Sequence, residues 1–202
     1  MAVKVEFHFD FGSPNTYFCH KLIPAIAERT GAEFTYFPIL LGGVFKLTNN
    51  QPPMMQFANV KHKSDYMRKE MVRFIEDHQM TKFKMNPNFP VMTVALMRCA
   101  IIAEEEGYLD KYVDAVYSSM WEEGLKMDDP EIIKSALDQA DMDGEHMLAR
   151  TQEQGIKDKL MQNTNMSVER GNFGAPTFFI GDEMFFGKDR LDAVEREILK
   201  QS

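Results

Sequence analysis

Three short segments carry residue types that could do chemistry. The first is Phe9-Asp10-Phe11-Gly12-Ser13-Pro14-Asn15-Thr16-Tyr17-Phe18. A serine before a proline and an apolar-periodic run marks a helix start, with Ser13 at the cap and Pro14 at the first helical position. A hydroxyl there sits among free N–H groups at the positive end of a helix dipole, a place that favours an anion. The second segment is Phe173-Gly174-Ala175-Pro176-Thr177-Phe178-Phe179. A proline opening a strand after Gly-Ala points to a cis Ala175–Pro176 bond, and it leaves the Ala175 backbone free to pair with an extended peptide. The third is Phe186-Gly187-Lys188-Asp189-Arg190-Leu191, which places Asp189 in the first turn of a final helix. Each has a plainer alternative: a helix cap for Ser13, an edge-strand proline for Pro176, a dipole-complementing surface acid for Asp189.

The elements around these segments must position them. Residues 3–9 alternate β-branched and aromatic side chains with polar ones, the pattern of a strand. A helix follows over 14–29, with Phe18, Leu22 and Ile26 on one face and Gly31 at its end, then a second strand over 33–37. Asn49-Asn50-Gln51-Pro52-Pro53 reads as a loop. Helical periodicity then fits 60–79, 90–106, 108–123, 130–139, 144–154 and 156–170, broken at Asn86–Pro90, Gly107, Gly124 and Asp129-Pro130. Thr177–Ile180, the turn Gly181-Asp182 and Glu183–Phe186 read as a hairpin, and 188–200 as a last amphipathic helix with Leu191, Val194 and Ile198 inward. The order is β-α-β, a helical block, then β-β-α. That is the α/β order of a thioredoxin-like fold interrupted by a large all-helical insertion. We divide the chain accordingly into a discontinuous thioredoxin-like domain, residues 1–44 and 156–202, and a helical insertion domain, residues 45–155.

Composition narrows the function. The 202 residues include 23 Lys+Arg against 31 Asp+Glu, a net charge of −8, which argues against a nucleic-acid partner needing a basic face. No run approaches the roughly 20 apolar residues of a membrane span, and the first residues enter a strand without an export signal, so a cytoplasmic protein is expected. Cys19 and Cys99 form neither metal spacing nor redox motif, and the five histidines form no ligand spacing, so no metal is expected. In thioredoxin-like oxidoreductases the start of the first helix holds Cys-x-x-Cys. Here it reads Ser13-Pro14-Asn15-Thr16, and without sulfur that place cannot exchange disulfides. His8 reads as a satisfied, half-buried strand residue and Cys19 as packing. Among the 16 methionines, Met54, Met55, Met67 and Met71 read as core.

Taken together, Ser-Pro-x-[Ser/Thr]-Tyr after the first strand, Gly-x-Pro-Thr before the third and Gly-x-Asp-Arg after the fourth resemble the 2-hydroxychromene-2-carboxylate isomerase and kappa-class glutathione transferase family. The resemblance covers nearly the whole chain, and the segment from Phe173 to Leu191 looks especially like the isomerase branch. It implies a DsbA-like thioredoxin fold, glutathione as the bound thiol and a homodimer. Residue by residue, it implies that Ser13 hydrogen-bonds the glutathione sulfur and lowers the thiol's pKa. It gives the Ala175 backbone, ahead of a cis Pro176, to the ligand's cysteine. Asp189 would take the γ-glutamyl ammonium, and the N–H groups of Lys188 and Asp189 the neighbouring carboxylate. Asn50 matches the glycyl-end contact and Lys63 a carboxylate partner. Two carboxylates and one ammonium on the ligand do call for cations and one acid.

For the isomerase branch the resemblance implies thiolate addition to a conjugated, aromatic-derived ring, rotation about the bond thus made single, and departure of the sulfur. Lys46, Asn86 and Phe89 are the candidates for touching that second substrate. Two features of the naphthalene-pathway enzyme are missing: a tyrosine in the loop that here reads Met85–Pro90, and an arginine pair where this chain has Val91-Met92-Thr93-Val94. Lys46, Asn86 and Phe89 therefore also read as a solvated lysine, a turn residue and a core aromatic. Two classes of function remain: a glutathione-dependent enzyme, isomerase first and transferase second, or a non-catalytic thioredoxin-like module that binds glutathione or a peptide. Retention of all three motifs favours the enzyme.

Overall fold

The computed structural model describes residues 2–202. The first strand, β1 (Lys4–Phe9), carries Val5, Phe7 and Phe9 into the core. Its other face is covered too, because His8 is also fully buried. That is the mark of a central strand. β2 (Glu33–Pro38) pairs parallel to it, with Phe7 opposite Tyr36. β3 (Thr177–Ile180) pairs antiparallel on the other side, with Phe7 opposite Phe178, and β4 (Glu183–Phe186) completes the hairpin. The sheet order is β2-β1-β3-β4. Between β1 and β2 runs α1 (Pro14–Thr30), which opens on Pro14 and ends where Gly31 turns left-handed and its N–H bonds Ala27 O at 2.8 Å.

The helical block differs from the sequence expectation at its edges. Two helices went unread: α2 (Leu41–Thr48) and the single turn α3 (Pro53–Gln56). Gly42-Gly43 lowers the helix propensity of α2, and at Gly43 the lack of a side chain eases a close approach. A Cβ there would lie 3.1 Å from Thr164 Cγ2. Thr164 belongs to α9 (Gln154–Glu169), against which α2 packs. The expected helix over 60–79 contracts to α4 (Lys63–Asp77), and that over 90–106 to α5 (Val94–Glu105), behind an extended stretch and a cis Phe89–Pro90 bond. α6 (Leu109–Ser118) runs into a π-helical turn, Ser119–Glu123. α7 (Pro130–Gln139) and α8 (Gly144–Arg150) follow, capped by Asp129 and Asp143. A 3-10 turn, Lys188–Arg190, leads into α10 (Leu191–Gln201), which Arg29 of α1 clamps by donating from Nε and Nη2 to the two carboxylate oxygens of Glu195 at 2.9 and 2.8 Å.

The expected division of the chain cuts two helices, since 44/45 falls inside α2 and 155/156 inside α9. The apolar core does not respect that division either. It runs from Phe7 and Phe9 of the sheet through Phe11 to Tyr117 and Trp121 of the helical block. Met54 and Met55 are not core: they are 61% and 65% exposed, because α3 is too short to carry an inward face. Among the described residues no helix is long and apolar enough to cross a membrane.

Candidate active site

The chain leaves β1 at Phe9 and turns at once, the Ser13 N–H bonding Asp10 O at 3.2 Å. The buried Asp10 carboxylate organises this turn. Its Oδ1 accepts the Gly12 N–H and its Oδ2 the Leu41 N–H, each at 2.8 Å, tying the turn to the start of α2. Burial pushes the Asp10 carboxyl above its ordinary range, against the pull of the Leu41 and Gly12 N–H groups and the Thr93 side chain. The Trp121 indole donates to Phe11 O at 2.9 Å from the opposite side. Thr16, fully buried, bonds back to Asp10 O and Ser13 O at 2.8 and 2.6 Å.

Within this fixed turn the Ser13 backbone caps α1, its carbonyl accepting the Thr16 N–H at 3.1 Å. The hydroxyl does not take part in the cap. It reaches across to donate to Ala175 O at 3.2 Å. The plain cap reading of Ser13 thus accounts for the main chain and not for the side chain.

Ala175 belongs to the loop before β3, and the Ala175–Pro176 bond is cis. Its methyl packs with Ile39 and Val44 of the α2 region. Asn50 donates from Nδ2 to Phe173 O at 2.8 Å, so the end of α2 holds the loop. Pro176 O accepts the Gly187 N–H at 2.9 Å, which brings the Lys188–Arg190 turn alongside. Gly174 leaves room for the Phe186 ring, which a Cβ here would displace, since it would lie 2.7 Å from Phe186 Cε2. Ser13, Asn50, Ala175, Pro176, Lys188 and Asp189 therefore gather around one loop from distant parts of the chain.

Residues 4–199, which include this helix start and the cis-proline loop, match the DSBA-like thioredoxin domain. The chain belongs to the DsbA-like thioredoxin family. Among curated DsbA-like relatives, a 2-hydroxychromene-2-carboxylate isomerase of Pseudomonas sp. (strain C18) is 27% identical, over 98% of this chain and 91% of its own. Glutathione S-transferase kappa 1 of Rattus norvegicus is 26% identical, over 93% and 87% respectively. A solved 2-hydroxychromene-2-carboxylate isomerase shares the fold with a TM-score of 0.82 at 24% identity, over 98% of this chain and 95% of that one.

In this DsbA-like frame some expected site residues lie elsewhere. Asp189 is not in the first turn of α10, where Asp192 stands, but in the 3-10 turn before it, with its side chain 69% exposed. Lys188 turns inward at 9% exposure, its Nζ 4.3 Å above the Phe74 ring and 2.5 Å from Asp189 Oδ1. Lys63 opens α4 with its Nζ over the Phe57 ring at 5.1 Å. Phe74 lies about 16 Å further along the same helix, so Lys63 is apart from the Lys188 turn. Lys46 is exposed on α2, and among the described residues neither Lys46 nor Lys63 forms an ion pair.

Asn86 is corrected by the structure. It is buried, its Nδ2 donates to Met120 O and Leu125 O at 2.8 Å, and its Oδ1 accepts the Asn88 N–H at 2.8 Å. An amide so engaged closes its own loop and has nothing left for a substrate. Phe89 packs beside Trp121 with ring centroids 6.0 Å apart. Sequence reasoning missed Asp10, although an isolated acid in the apolar run Phe7–Phe11 was a visible signal. It also missed Asn172, which lies beneath the Ala175 loop.

Proposed function

We propose that the protein is a glutathione-dependent enzyme of the 2-hydroxychromene-2-carboxylate isomerase type, acting on a small conjugated, aromatic-derived substrate. What carries this reading is the Ser13 hydroxyl: the helix does not use it, and it points at the Ala175 loop. The names of the relatives at 26–27% identity support it further.

The residues present fit a thiol tripeptide. A hydroxyl donor stands at a helix start, a loop backbone lies opposite, and Asp189 is exposed beside them. Bound glutathione would supply a sulfur nucleophile for reversible addition to a conjugated double bond. Ser13 turns its proton from Ala175 O to that sulfur and, with the positive end of α1, favours the thiolate over the thiol. Ala175 offers its backbone to the cysteine portion, Asp189 holds the ammonium, and the N–H groups of Lys188 and Asp189 hold its carboxylate. Asn50 and Lys63 serve the glycyl end. Phe89 and Lys46 remain for the second substrate. A homodimer in the cytoplasm is part of the same reading. Kappa-type transfer to an electrophile is the second reading. The 26% identity to the rat kappa transferase supports it. Calorimetric titration with glutathione, followed by a spectral screen of chromene carboxylates against chloroaromatic electrophiles, separates the two.

Two outcomes follow. Asp189→Asn raises the Kd for glutathione roughly three- to tenfold, about 1 kcal/mol, because an exposed pair already shared with Lys188 Nζ sits at the weak end of ion pairs. The melting temperature stays within about 1–2 °C. An unchanged Kd in calorimetry would remove Asp189 from the site.

The wild-type protein does not reduce insulin with a dithiol donor. Its only thiols, Cys19 and Cys99, are buried, and burial holds the Cys19 thiol well above its ordinary range and pushes Cys99 up to about 12. Turnover in that assay comparable to a dithiol DsbA-like control would overturn the site assignment.

A further inference from the structure

Beneath the Ala175 loop lies a chain of hydrogen bonds that the proposed chemistry does not use. The Gly174 N–H donates to Asn172 Oδ1 at 2.8 Å. Asn172 Nδ2 donates to Ser167 Oγ at 2.7 Å, and Ser167 Oγ lies 2.8 Å from His8 Nδ1. His8 Nε2 is 3.2 Å from Glu6 Oε2, which also accepts from Arg170 at 2.7 Å. Asn172, Ser167 and His8 are all buried.

The chemistry of the groups sets one direction. A backbone N–H can only donate, so the amide oxygen of Asn172 faces Gly174 and its NH2 faces Ser167. A carboxylate can only accept, so His8 carries its proton on Nε2 and accepts on Nδ1. The single proton of Ser167 then goes to His8, and its lone pair takes Asn172. Every bond runs head to tail from the loop down to Glu6. The Thr177 hydroxyl adds to the anchor, 2.8 Å from Asn172 Oδ1 and 2.9 Å from Gly174 O.

The consequence falls on Ala175. Asn172 and Gly174 form a turn in which the side-chain oxygen replaces a backbone acceptor. Without the Asn172 side chain the Gly174 N–H loses its acceptor in a dry interior, the Thr177 hydroxyl keeps only Gly174 O and the Ser167 hydroxyl only His8, and the loop must shift to give Gly174 a new partner. The next residue carries the carbonyl that receives the Ser13 hydroxyl. We propose that Asn172, seated on Ser167 and His8, is a positioning residue that sets the Ala175 backbone against a thiol ligand and so determines affinity for an extended peptide thiol. This rests on the reading that the Ala175 loop receives glutathione.

The test compares Asn172→Ala with Asn172→Ser, which rebuilds the turn through a hydroxyl. Asn172→Ala is expected to raise the glutathione Kd in calorimetry roughly tenfold, with Asn172→Ser recovering most of it. Hydrogen exchange at the Gly174 amide is expected to accelerate in Asn172→Ala alone. The rate with 2-mercaptoethanol, which has no backbone to pair, is expected to change less than about twofold. A lower melting temperature with unchanged Kd in Asn172→Ala means a merely structural role and overturns the proposal. Should that variant not fold, Ser167→Ala carries the test. It leaves the turn but removes its seat, so a roughly threefold loss of affinity is expected and an unchanged Kd overturns. Absence of glutathione binding by the wild-type protein overturns the parent reading as well, whereas wild-type binding with unaltered variants overturns only the role of Asn172.

Discussion

Replacing Ser13 with alanine lowers glutathione-dependent turnover roughly tenfold to a hundredfold, the weight of one charge-assisted hydrogen bond of about 1.5–3 kcal/mol. The hydroxyl is free for that role because the main chain alone caps α1, and because its resting acceptor, Ala175 O at 3.2 Å, holds it weakly. The variant also loses that resting bond, a neutral one of about 0.5–1.5 kcal/mol, so the fold changes little. The diagnostic is the pH–rate profile. A thiol near pKa 8.5 that loses a donor to its thiolate needs a higher pH to ionise, so the midpoint moves up. A slower enzyme with an unmoved midpoint would make Ser13 a packing residue and return the thiol to the helix dipole alone.

Acid destabilises the fold through His8, by about 3 kcal/mol between about pH 6.5 and 4. Burial pulls the His8 imidazole down to about 4, against the Glu6 carboxylate that would raise it. The geometry agrees: a proton on Nδ1 would leave the Ser167 hydroxyl facing two donors with no acceptor for its own hydrogen. In this window the unfolded chain binds a proton that the folded chain refuses. Stability is therefore complete above about pH 6.5, falls as pH drops and levels below about 4. Glu6 is itself held below the ordinary carboxylate value, burial pushing up but Arg170 and His8 outweighing it, and so adds a loss at lower pH. Asp10, pushed up by burial, acts in the opposite sense, being favoured by acid. Denaturant unfolding of wild type and His8→Gln across pH 4.5–7 isolates the histidine. The wild-type slope exceeds the variant's by up to about one proton, and equal slopes would remove His8 as the cause.

The elements that sequence made legible are those whose information is local. β1, α1 and the β3–β4 hairpin follow from alternation, a Ser-Pro start and a Gly-Asp turn, and they stand where those signals put them. The segment around Ser13, Ala175-Pro176 and Lys188-Asp189 was legible for the same reason, each being a short motif complete in itself. α2 was not, because Gly42-Gly43 speaks against a helix while what packs against Gly43 is Thr164, in a helix far along the chain. Asn86 looked available in sequence and is engaged in space, since its partners Met120 and Leu125 lie across a loop. Met54 and Met55 looked like core because apolarity is local, whereas burial depends on what packs above.

By itself the sequence determined the thioredoxin order of elements, the loss of sulfur from the helix start and the three segments that converge. Only the tertiary structure decided where the Ser13 hydroxyl points, that Asp10 locks the turn beneath it, and that Asn172, Ser167 and His8 hold the loop opposite. The physical reason is the same each time. Periodicity and turn chemistry act within a few residues, but a hydroxyl or a buried amide takes its direction from whichever partner the fold brings within 3 Å, and that partner can be anywhere in the chain.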